Sequence, residues 1–93
     1  MTARVAVALL LAVAACGGAH DYAAHGRVVA VDVAAGMVTI DHDDIPGLMG
    51  AMTMRFRAAS PALLESVRPD AAVRFVVRDE AGGLVVVAIA PEP

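Results

Sequence analysis

Between residues 25 and 90, apolar residues recur with period two in short runs, the pattern of strands that bury one face. HGRVVAVDV (25–33) and GMVTIDHD (36–43) read as a hairpin around Ala34-Ala35-Gly36. In AMTMRFR (51–57), Met52, Met54 and Phe56 share one face and Thr53, Arg55 and Arg57 the other. AVRFVVRD (72–79) sets Val73, Phe75 and Val77 against Arg74, Val76 and Arg78, and Ala81-Gly82-Gly83 turns it into LVVVAIA (84–90). Between the third and fourth strands, SPALLESVRPD supplies Ser60 as a cap, Pro61 at the first helical position and Pro69-Asp70 as a stop.

The order β-β-β-α-β-β is compatible with a sandwich, an open meander or a closed barrel. About 70 residues bury too little surface to stabilise two stacked sheets. Cys16 is the only cysteine, so no disulfide can compensate. Closure also removes the free strand edges. The expected fold is therefore all-β: a small five-stranded OB-type barrel with one short helical turn between strands 3 and 4.

The first residues belong to a different regime. After Arg4, an unbroken apolar run from Val5 to Ala15 is too short to span a bilayer, which needs about 20 residues. It suits the apolar segment of an export signal. Val13-Ala14-Ala15-Cys16 resembles the bacterial lipobox, in which cleavage precedes an acylated cysteine. Acylation of Cys16 would also remove an unpaired thiol from an oxidising compartment. We expect a lipoprotein signal over 1–15, a tether over 16–24 and a barrel over 25–91. With Gly17 rather than an aspartate after the cysteine, the anchor leans to the outer membrane.

Without the signal, six arginines face ten acidic residues, and Tyr22, Phe56 and Phe75 are the only aromatics. A nucleic-acid binder needs a basic face or a set of stacking rings, and neither is available. No nucleophile with an adjacent base is evident, so no enzymatic activity is expected.

Three of the five methionines, Met49, Met52 and Met54, lie within six residues, shortly after a histidine. Val38, Ile40 and His42 share the core-facing side of the second strand, so His42 ends that strand opposite the start of the third. An imidazole and two thioethers then converge at one end of the barrel. Neutral sulfur donors with one imidazole favour a soft ion of low charge, Cu(I) with Ag(I) as its analogue, over zinc. Methionines at such positions are more often packing, and a lone histidine more often structural. Met49 follows Pro46-Gly47 in a loop, where packing explains it less well. Asp41, Asp43 and Asp44 form a solvated loop mouth, from which one could orient the His42 imidazole through its other ring nitrogen. His20 and His25, flanking Asp21, fall largely in the expected tether and read as solvated.

His42 followed by Met52-Thr53-Met54 in a small exported β-barrel resembles the CusF family of periplasmic copper- and silver-binding proteins, over roughly residues 25–90. The resemblance implies that His42, Met52 and Met54 are metal donors. The family's capping tryptophan has no counterpart, since the chain contains none, and by spacing Met49 stands in its place. The implied function is a monomeric Cu(I)/Ag(I) metallochaperone or scavenger. It would be lipid-anchored in the periplasm and pass its ion to a copper efflux component or a copper-enzyme assembly factor. The alternative is a metal-free lipoprotein module whose methionine-rich rim binds a protein.

Overall fold

The computed structural model describes residues 20–93. The expected signal, Cys16 and the first part of the tether lie outside them. The elements are β1 (His20–Asp32), β2 (Met37–His42), β3 (Met52–Ala58), a 3-10 turn (Pro61–Leu64), β4 (Ala72–Glu80) and β5 (Gly83–Pro91). They close into a barrel in the order β1-β2-β3-β5-β4, the five-stranded OB-type architecture with a single helical turn between β3 and β4. All neighbouring pairs are antiparallel except β3 with β5, which run parallel and meet over Arg57↔Val85 and Ala58↔Val86.

Alternation translates directly into the core. Val38, Ile40, Phe56, Val73, Phe75, Val77 and Val86 are buried, joined by Val28 and Ala24 from β1. Leu64 from the 3-10 turn and Ile45 from the loop after β2 complete the cluster. Ser60 caps the turn as expected, its hydroxyl accepting from the Ala62 amide at 3.2 Å.

One boundary differs. The segment His20–Ala24, expected as tether, is the first part of β1 and pairs with β4 from His20↔Asp79 to Ala24↔Phe75. Apart from Tyr22, its residues carry little strand propensity, so little in the segment itself announces a strand. Its cause is tertiary: β4 is nine residues long and would otherwise present unpaired amides along that edge. Ala24 is 2% exposed, Tyr22 packs against the core, and Asp21 receives two hydrogen bonds from Arg78, at 2.7 and 3.1 Å. The Arg78 hydrogen bond holds the Asp21 carboxyl below its ordinary value.

β1 thus serves two neighbours in succession. Its N-terminal part pairs with β4 through Arg27, and its C-terminal part pairs with β2 from Gly26 onward. The β1–β2 register slips between Val28 and Ala30, leaving Val29 bulged outward and 53% exposed. A bulge bends a strand and increases its twist, which a barrel this small needs in order to close.

Candidate metal centre

β2 and β3 pair in a register that sets His42 directly across from Met52 and Ile40 across from Met54. Directly opposed residues share a face, with Cβ atoms about 4.5–5.5 Å apart. The histidine and both strand methionines therefore stand on the inward side, near the end where β2 stops and β3 begins. Burial is graded across them: His42 is 1% exposed, Met54 is half-buried against the core, and Met52 at the rim is 48% exposed.

His42 is the one buried polar side chain among the described residues. Its ring lies 5.7 Å from that of Phe56 and 6.5 Å from that of Phe75, centroid to centroid. Nδ1 is 2.8 Å from the Asp43 main-chain carbonyl. A carbonyl only accepts, so Nδ1 carries the proton, and in the neutral ring Nε2 presents its lone pair. That Nε2 is buried and has no hydrogen-bond partner. Leaving such an atom unpaired costs about 1–3 kcal/mol, which an incoming electrophile can recover. A polar ring oriented on one nitrogen and bare on the other is the arrangement of a metal-ligating histidine.

The loop between the strands is built, not slack. Leu48 and Met49 amides both donate to the Ile45 carbonyl, at 2.9 and 3.0 Å, and the Ile45 amide returns a 2.8 Å bond to the Met49 carbonyl. Pro46 and Gly47 occupy the central positions of the tight turn, and Gly47 has φ 83°, as a type II turn requires. The Asp44 carboxylate accepts from the Ala51 amide at 2.8 Å and fastens the loop's far end. Met49 is held half-buried against the core at the end of the barrel that carries His42. Tyr22 lies beside Gly47, and the Asp43 amide donates to the His25 carbonyl at 3.0 Å, so the first part of β1 walls the mouth.

Asp41, Asp43 and Asp44 are exposed, as expected of a solvated mouth, and one of them does orient the His42 ring. It is the peptide carbonyl of Asp43, not a carboxylate, that orients His42. Asp44 serves the loop, and Asp41 faces outward opposite Thr53. Among the described residues, no group of three or more histidine, cysteine and carboxylate side chains is placed to hold a metal. Soft donors are what remains at the mouth. His25 is exposed, as expected, and pairs through Nδ1 with Glu92. Sequence reasoning missed the parts played by His25 and Tyr22; the only available signal was the position of Tyr22 in an otherwise featureless stretch.

A small closed barrel with a bare, oriented imidazole nitrogen beside a methionine-lined rim defines a soft-metal-binding class of protein. The family model for "Copper binding periplasmic protein CusF" matches residues 21–91, and the chain belongs to that family of periplasmic, non-enzymatic copper-binding proteins. Among solved structures, it is similar to apo-CusF from Escherichia coli (TM-score 0.74, 22% identity, covering 83% of this chain and 93% of that one). It is similar also to the Ag(I) form of the E. coli protein (TM-score 0.71, 23% identity, 80% and 94% covered). The C-terminal domain of SilB from Cupriavidus metallidurans shares 29% identity at a TM-score of 0.68, covering 80% of this chain and 90% of that domain. No curated protein matches the chain significantly.

Proposed function

We propose that the chain is a lipid-anchored metallochaperone or scavenger that binds Cu(I), or Ag(I) as its analogue, through His42 Nε2 and the sulfurs of Met49, Met52 and Met54. The observation that carries this reading is the buried Nε2 with no partner, in a ring whose other nitrogen is already committed. Thioethers bind without losing a proton and cannot be disabled by disulfide formation, which suits an oxidising compartment. In this proposal Met49 replaces the family's capping tryptophan with a third sulfur, giving one nitrogen and three sulfurs around the ion. The half-exposed Met52 is the donor that an acceptor reaches first, as stepwise hand-over to an efflux component or copper-enzyme assembly factor requires.

Two experiments test the reading. Titration of the reduced protein with Cu(I) should show one equivalent bound, and X-ray absorption should count three sulfurs and one nitrogen. In Met49→Trp the sulfur count should drop to two. An unchanged count would remove Met49 from the ligand set, and absence of stoichiometric binding would leave the metal-free interaction module. Residues 1–15 are proposed as the signal and Cys16 as the acylated residue. Cys16→Ala should then move the protein from the membrane to the soluble fraction.

A further inference from the structure

We infer that Gly26 is a positioning residue of the metal centre, required so that β1 can lie against the backbone that carries His42. This rests on the reading of His42 as a metal donor. Gly26 pairs with His42 on one side and with Val73 on the other, at the point where β1 passes from one neighbour to the next. A Cβ added there would lie 2.6 Å from the Asp41 carbonyl oxygen, 2.8 Å from His42 Cα and 2.8 Å from Ile40 Cγ2. Two of those three atoms are main chain and cannot swing aside. The positive-φ glycines are Gly36, Gly47 and Gly83, so what bars a side chain at residue 26 is space, not backbone conformation.

β1 cannot retreat to make room, because β4 holds it from the other side. A methyl group at residue 26 therefore displaces the Asp41–His42 backbone. The disturbance reaches the donor by a short route. His25, next to Gly26, accepts the Asp43 amide, and the Asp43 carbonyl fixes the proton on His42 Nδ1. Moving that strand crossing moves both the position of Nε2 and the bond that leaves it bare.

The test is Gly26→Ala in the full chain, with Gly36→Ala as control. Gly36 has φ 69° in the β1–β2 turn, with nothing near its Cβ position, at the far end of β2 from His42. Alanine there should strain the turn and lower thermal stability, while Cu(I) affinity stays within about twofold of the parent. Gly26→Ala should lower Cu(I) affinity of the folded protein by at least about tenfold, a loss of about 1.4 kcal/mol. The ¹⁵N signals of its His42 ring should leave the parent's Nδ1–H pattern. A folded Gly26→Ala with parental affinity and an unchanged ring would overturn the inference. If the variant does not fold, the parent still decides: Cu(I) must shift the Gly26 Hα and Asp43 amide signals together with the His42 ring, and unmoved signals at residues 26 and 43 sink the idea. A parent that binds no Cu(I) refutes the reading of the site itself.

Discussion

At the scale of single residues, the proposed metal centre sets stability against binding at His42. Replacing it by leucine removes an unpaired buried nitrogen worth about 1–3 kcal/mol and sacrifices a hydrogen bond worth about 0.5–1.5 kcal/mol. The melting temperature of metal-free His42→Leu, followed by circular dichroism, should therefore equal or exceed that of the parent, while Cu(I) binding is lost. A lower melting temperature would mean that the imidazole is structural. Met52→Leu and Met54→Leu conserve volume and should cost less than about 1.5 kcal/mol each, yet each should weaken Cu(I) binding. If both variants bind Cu(I) like the parent, the sulfurs at these two positions are packing. The donor candidates were legible because side-chain chemistry names them. The orientation of His42 was not, because a peptide carbonyl does that work and any residue at position 43 could have provided it.

At the scale of elements, the Pro46-Gly47 turn and the first part of β1 act as supports for the mouth. Gly47→Ala forces alanine into the left-handed region at a cost of about 1–2 kcal/mol and loosens the bridge that holds Met49. Cu(I) affinity should fall with stability there, unlike in Met52→Leu, where affinity alone should fall. The turn could be read from IPGL, and the capped 3-10 turn from SP, because proline and serine act locally. The bulge at Val29 could not, since valine is an ordinary strand residue and the slip arises from closing the ring. The strap between Asp21 and Arg78 predicts a pH effect. Asp21 has its folded-state value lowered, so its contribution is present above the ordinary aspartate range and disappears as pH falls through the lowered folded value. Both groups are exposed, so the effect should be small. Comparing Asp21→Asn with the parent, the stability difference near neutral pH should vanish in strong acid; a difference that persists there would assign it to packing.

At the scale of the whole molecule, five short strand-like runs and a single cysteine were enough to anticipate a closed barrel, since edges and a small core leave few other solutions. The extent of the folded unit was not legible: Ala24 and Tyr22 join the core only because β4 offers them a partner. A chain beginning at His25 should lose at least about 2 kcal/mol relative to one beginning at Gly17 and bind Cu(I) more weakly, because both the core and the wall of the mouth shrink. Equal stability of the two would show that the first five residues of β1 are dispensable.

The parallel junction of β3 with β5 gives the barrel a mechanical asymmetry. A ring of strands fastened at one place by two residue pairs behaves like a bracelet with a clasp: thermal agitation opens it there first. The clasp sits at the C-terminal end of β3, away from the mouth, so the cylinder can breathe without disturbing the nitrogen or the sulfurs. Amide exchange should accordingly be fast at Ala59, whose hydrogen bond to the Val86 carbonyl belongs to the clasp, and slow at Ile40. The molecule's softest joint and its most exacting geometry are kept at opposite ends.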